Sequence, residues 1–88
     1  MIVGKVVGSL ISTRKNEALV GCKFMIVEPL ASMSRGHDRI VAVDNVGAGI
    51  GEIVLVTLGS AARIGARNEA SPVDAAIVGI VDDAQKLE

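Results

Sequence analysis

The stretch Asp44-Asn45-Val46-Gly47-Ala48-Gly49-Ile50-Gly51-Glu52 sets the strongest limit on what this chain can become, because it places three alternate glycines between two apolar runs. Glycines at such spacing let the backbone enter φ > 0 or approach another segment closely. The flanking runs, residues 40–43 and 53–56, are short and β-branched, so the region reads as strand, tight loop, strand. A phosphate cradle does not fit. The spacing is G-x-G-x-G-E, the dinucleotide fingerprint needs glycine where Glu52 stands, and Glu52 itself repels phosphate. Strand-forming residues follow, so no helix N-terminus is aimed at an anion. Asp44 and Glu52 bracket the loop and, with Asn45, read as braces for its amides, since Asp and Asn close turns through their own side chains. Paired catalytic carboxylates are the weaker alternative for the two acids.

Short strands recur along the chain. Residues 2–12 read as a strand with Ile2, Val6 and Leu10 on one face and Val3, Val7 and Ile11 on the other, Gly4 and Gly8 marking bends or close backbone approach. A polar loop, 13–17, leads to a second strand at 22–30. There Cys22, Phe24 and Ile26 alternate against Lys23, Met25 and Val27 until Pro29 ends the pairing. Residues 32–39, with Gly36-His37-Asp38, read as a hairpin connection; 40–43 and 52–58 are the third and fourth strands. Gly59-Ser60-Ala61-Ala62-Arg63 then forms a short helical turn, Ser60 its N-cap and Gly65 its stop. Ser71-Pro72-Val73-Asp74 has the composition of a helix start. Residues 75–81 are nevertheless β-rich and too short to pack as a helix, so one turn at most precedes a fifth strand. The expected fold is mainly all-β: a small five-stranded antiparallel β-barrel, closed or nearly so, with one short helix. It forms a single domain over 1–88, the barrel covering about 1–82 and a short polar tail 83–88.

A chain of 88 residues buries only about 60–65 % of its unfolded surface, which makes one marginal core. Half of these residues are apolar and the mean hydropathy is +0.51, yet no uninterrupted run reaches the roughly 18 residues needed to span a membrane. The surplus apolar surface is expected in contacts between subunits. A single cysteine closes no internal disulfide, and with a single histidine the chain lacks the ligands of a structural zinc site. Cys22 is expected reduced in a core, with no metal and no other cofactor. Met1-Ile2-Val3-Gly4 carries no basic leader, which points to the cytoplasm. A net charge of −1 without a basic block, and one Phe as the sole aromatic residue, argue against nucleic acid as a partner. His37-Asp38 with Cys22 matches no catalytic signature, and Asp82, Asp83 and Glu88 are too few to hold a cation. Arg63 with Arg67 reads as an anion site or, at least as well, as salt-bridging residues of a subunit contact, for example to Asp74 or Glu69.

Three segments in order carry a likeness. They are Asp44-Asn45-Val46-Gly47-Ala48-Gly49 with Gly51-Glu52, then Gly59-Ser60-Ala61-Ala62-Arg63, then Ser71-Pro72-Val73-Asp74 closing on Val78-Gly79-Ile80-Val81-Asp82; Leu19, Gly21, Lys23 and Phe24 fit nearer the front. Together, over nearly the whole chain, they resemble the vertex proteins of bacterial microcompartment shells, the ethanolamine-utilisation and carboxysome pentamer proteins. The resemblance implies an oligonucleotide-binding-like (OB-like) barrel that forms a cyclic homopentamer at the five-fold corners of a polyhedral shell. It also implies hexameric shell proteins as facet partners, enclosed enzymes as cargo, a place in the microcompartment shell within the cytoplasm, and no catalysis by the chain itself. On that basis Gly47, Ala48 and Gly49 are expected near the ring axis around a narrow opening, and Gly59, Ser60, Arg63 and Asp74 against a neighbouring subunit or facet protein. Two departures stand out: many members place Trp where Ile53 stands, and many continue past Glu88. A small barrel binding single-stranded nucleic acid or a small ligand is the rival reading; an interface enzyme using Glu52 or Asp44 is a third.

Overall fold

In the computed structural model residues 1–11, 22–30, 39–65 and 73–82 are described. They hold strands β1 (Ile2–Leu10), β2 (Lys23–Pro29), β3 (Ile40–Asp44), β4 (Ile53–Leu58) and β5 (Ala75–Ile80), and one helical turn, α1 (Ala61–Gly65). Each lies within two residues of its position as read from sequence, and Pro29 is the last paired residue of β2, facing Gly4. Expectations that fall on 13–17, on 32–38 with His37 and Asp38, on 66–72 with Arg67, Glu69, Ser71 and Pro72, on Leu19 and Gly21, and on the tail 83–88 lie outside the described residues.

The strands close into a barrel in the order β1-β2-β3-β5-β4. Four seams are antiparallel, as expected, and the β3–β5 seam is parallel. Counting explains the exception: an odd number of strands cannot alternate direction all the way round a closed sheet, so at least one neighbouring pair must share a direction. The parallel seam is also thin, joined only through Val43↔Ala76 and Asp44↔Ile77.

Ile2, Val6, Met25, Val27, Val54, Val56 and Ile77 fill the interior, each at most 2 % exposed. Burial of each contributes on the order of 1.5–3 kcal/mol. Two register shifts break the simple alternation read from the sequence; one lies between Leu55 and Val56 of β4, where Val78 of β5 is the extra residue, and the other is in β1. The register of β1 against β2 shifts between Val6 and Gly8, leaving Val7 as an extra residue. A slip of one residue sends all later side chains to the opposite face. Leu10 therefore does not share the face of Ile2 and Val6; it pairs with Phe24 on the outside and is 44 % exposed. At Gly4 the backbone of β2 comes so close that a Cβ would stand 2.6 Å from Val27 Cγ1 and 2.8 Å from the Glu28 carbonyl oxygen.

A second apolar cluster lies outside the barrel, beneath α1. Ala62 packs there with Val43, Val73 and Ala76, and the half-buried Cys22 and Phe24 lean on the same cluster. The reduced cysteine expected in a core is thus on the outer face of the sheet, as a free thiol. Gly59, at φ +68, turns the chain from β4 onto this face, and its N–H donates to the Asp74 carbonyl at 2.8 Å. Gly65 ends the helix where a Cβ would be 2.7 Å from Val78 Cγ1 and 3.3 Å from Thr57 Cγ2.

Candidate functional site

Asp44 ends β3 on an inward-facing row. Ile2, Val56, Ile77, Asp44 and Lys23 are successive cross-strand partners around the wall. The Asp44 carboxylate therefore enters the barrel mouth, and its side chain has no solvent exposure. Burying a carboxylate is costly unless its lone pairs are taken up. Here Oδ1 accepts from the N–H groups of Val46 at 2.9 Å and Gly47 at 3.2 Å, and Oδ2 accepts from Ala48 N–H at 2.8 Å. Lys23 Nζ stands 3.6 Å from Oδ2 and donates to the Ala48 carbonyl at 3.3 Å.

These bonds curl the loop back over the barrel, so that Ala48 joins the interior core at 1 % exposure. The curl requires left-handed backbone at Gly47 (φ +81) and Gly51 (φ +95), conformations that a side chain strains. Glu52 braces the second half: its Oε1 accepts from Gly49 N–H at 2.6 Å, and its own N–H donates to the Gly49 carbonyl at 3.1 Å. Gly51 N–H donates to the Val6 carbonyl at 2.8 Å and Val6 N–H to the Glu52 carbonyl at 2.9 Å, which zips the loop onto β1 next to its bulge. Asn45 Nδ2 donates to the Gly65 carbonyl at 3.3 Å, tying the loop to the last turn of α1. Val46 and Ile50 face solvent, 43 % and 67 % exposed.

Asp44, Asn45 and Glu52 are thus all spent on holding backbone. Among the described residues no buried side-chain polar atom lacks a partner, no group of three or more His, Cys, Asp or Glu could hold a metal ion, and no helix is long and apolar enough to cross a membrane. The residues expected at a subunit or facet-protein contact gather separately. Gly59 and Asp74 join through their backbone bond, with Ser60 next in the chain, and all are exposed. Gly59 and Asp74 also line a cleft of about 420 Å³, together with Ile40, Val41, Leu58 and Ala75, where β3 and β5 part beyond their two paired positions. The Arg63 side chain lies outside the described residues.

One participant, Lys23, carries no assigned role in the sequence reading. Its signal was there: it alternates with Phe24 onto the side of Met25 and Val27, which puts it at the end of an inward row.

Residues 1–82 match the family described as "Ethanolamine utilisation protein EutN/carboxysome". The chain belongs to this family. Among curated relatives it is 47 % identical to the bacterial microcompartment shell vertex protein GrpN of Rhodospirillum rubrum (strain F11), over 99 % of both chains. It is 41 % identical to the carboxysome shell vertex protein CcmL of Gloeobacter violaceus, covering 93 % of this chain and 83 % of that one. Among solved structures it is similar to the "GrpN pentameric microcompartment shell protein from Rhodospirillum rubrum", with a TM-score of 0.81 and 48 % identity over 94 % of this chain and 95 % of the other. As a member of the EutN/CcmL family the chain is a structural protein of the bacterial microcompartment shell, not an enzyme.

Proposed function

We propose that this EutN/CcmL chain assembles into a cyclic homopentamer that caps the five-fold vertices of a polyhedral microcompartment shell, seated among hexameric facet proteins. The observation that carries the reading is the internal satisfaction of the loop over residues 44–52. Every acid and amide side chain in it holds backbone, while Val46 and Ile50 stand exposed on a rigid frame. Such a frame suits contact with other chains. The pentameric description of the Rhodospirillum rubrum structure supports the ring.

Within that ring Gly47 and Gly49 sit near the axis around a narrow opening, with Ala48 turned back into the barrel core rather than lining it, and Gly59, Ser60, Arg63 and Asp74 meet a neighbouring subunit or facet protein. Native mass spectrometry of the purified chain tests the ring directly, with a five-copy mass expected. Co-expression with a hexameric facet protein, followed by electron microscopy, tests the vertex role: closed particles are expected, and their absence with both proteins folded would refute it. Gly49→Val tests the placement of the loop. A Cβ at Gly49 already stands 3.2 Å from Glu52 Oε1, so the bulkier side chain should displace the brace and impair assembly. Normal rings and intact shells from Gly49→Val would overturn the axial placement while leaving the pentamer in place. Salt-sensitive binding of oligonucleotides by a chain that stays monomeric would favour the rival nucleic-acid barrel instead.

A further inference from the structure

The five ladders that close the barrel are not equally strong. β1–β2, β2–β3, β1–β4 and β4–β5 are each paired at four or more positions, whereas among the described residues β3 and β5 meet only at Val43↔Ala76 and Asp44↔Ile77. Parallel pairing is also slightly the less stable kind per residue. Because the strand order is circular, parting this one seam leaves every other ladder intact and turns the barrel into an open sheet, β3-β2-β1-β4-β5, in which all neighbours are antiparallel. One end of the seam has already parted. There Ile40 and Val41 stand across the cleft of about 420 Å³ from Asp74 and Ala75.

α1 lies over the two pairs that remain. Five residues are too few for a helix to hold its own shape in water, so its order comes from what it packs on. One side is fastened to β4 and β5. Gly59 N–H donates to the Asp74 carbonyl at 2.8 Å just ahead of the turn, and Ala62 N–H donates to the Gly59 carbonyl at 3.1 Å. Gly65 sits so close to the sheet that a Cβ would stand 3.3 Å from Thr57 Cγ2 of β4 and 2.7 Å from Val78 Cγ1 of β5. The other attachments reach across to β3. Ala62, fully buried, shares one cluster with Val43 and Ala76, the two members of a seam pair. Asn45, the residue after β3, donates from Nδ2 to the Gly65 carbonyl at 3.3 Å. The second seam pair is held from inside, where the Asp44 carboxylate binds the loop amides and keeps Ala48 in the core cluster with Ile77.

We propose that α1 is a clasp: it straddles the β3–β5 seam, and the native barrel opens there first, from the cleft towards Asp44, when the clasp lifts. The seam has the fewest ladder bonds to lose, and local opening is drawn from the regions with the fewest buried contacts. Opening uncovers the facing edges of β3 and β5 while the β1–β2 ladder stays paired. Unpaired edges of that kind are templates for another strand, so the clasp keeps a pairing-competent edge hidden.

Native-state hydrogen exchange resolved by residue tests this on the full-length chain and two variants, each rate corrected for the intrinsic rate of its amide and folding checked by circular dichroism. Ala62→Gly removes the methyl group packed on the seam pair, and Asn45→Ala removes the tie to Gly65. In the wild type, amides of 42–44 and 76–77 that bond across the seam should exchange at least about tenfold faster than those of the β1–β2 ladder. Ala62→Gly should raise the seam rates by a further factor of about ten, and Asn45→Ala by about three, as expected for losing a packed methyl in a helical turn and an exposed hydrogen bond. Rates in the β1–β2 ladder should not move. Seam amides as slow as that ladder in the wild type would overturn the proposal, and so would seam rates unchanged by Ala62→Gly. Equal acceleration of every ladder would also overturn it, because a helix that only adds to overall stability acts through global unfolding. If Ala62→Gly does not fold, Asn45→Ala decides alone by the same comparison.

Discussion

Replacing Asp44 by alanine removes the one side chain on which the loop turns. The Ala48 N–H, bonded at 2.8 Å inside the barrel mouth, loses its only acceptor, and an orphaned buried donor costs about 1–3 kcal/mol. The Val46 and Gly47 N–H groups belong to exposed residues, where water can replace the carboxylate; together they lose roughly 0.5–1 kcal/mol. Lys23 is 55 % exposed, so its 3.6 Å contact adds no more than about 0.5 kcal/mol. The sum is about 1.5–4.5 kcal/mol. A chain of 88 residues has on the order of 4–13 kcal/mol in total, so Asp44→Ala should remove a large fraction of it. For a domain of this size the melting temperature should fall by roughly 6–36 °C. Thermal melts read the temperature shift and urea unfolding the free energy, both followed by circular dichroism at one fixed protein concentration because assembly adds concentration-dependent stability. Asp44→Asn should fall between, at about 1–2 kcal/mol, since the amide keeps one acceptor oxygen but cannot satisfy both halves of the loop. A loss within about 0.5 kcal/mol for Asp44→Ala would refute the claim that this carboxylate holds the loop.

Three further outcomes follow from the same geometry. Gly4→Ala should cost about 2 kcal/mol or more in urea unfolding, because its Cβ meets backbone oxygen at 2.8 Å as well as Val27 Cγ1 at 2.6 Å, and backbone cannot step aside cheaply. Gly51→Ala, at φ +95 with nothing within 4 Å, should cost about 1–2 kcal/mol from backbone strain alone. Gly49→Ala, outside the left-handed region but only 3.2 Å from Glu52 Oε1, should cost less, and thermal melts that reverse this order would contradict the strain argument. Lys23→Met should lower stability by at most about 1 kcal/mol, since its ammonium reaches the Asp44 carboxylate from solvent; a loss as large as that of Asp44→Ala would show the pair to be buried in the assembled protein.

Much of the barrel was legible in the residues. β-Branched runs with a period of two mark strands whatever lies opposite them, and Gly59, Gly65 and the residues of 44–52 mark turns by their own conformational needs. The loop's braces could be anticipated for the same reason: Asp44 binds amides two to four residues away, and Glu52 an amide three residues away. The face of Leu10 could not. The bulge at Val7 lies where β1 pairs with β2 on one side and takes up the 44–52 loop on the other, contacts made by residues distant in the chain. Lys23 belongs with these, since its meaning depends on which residue ends the neighbouring strand.

Taken alone, then, the order of amino acids determined where strands begin and end, how the glycine loop folds on itself, and the family to which its three segments point. Only the closed tertiary structure decided that β3 and β5 run parallel with a cleft between them, that Asp44 faces inward, and that Leu10 lies with Phe24 on the outer face. The division has a physical cause. Local signals are set by neighbours a few bonds away, whereas the side of a sheet on which a residue falls is set by register, and register is fixed by partners that meet only when the barrel closes.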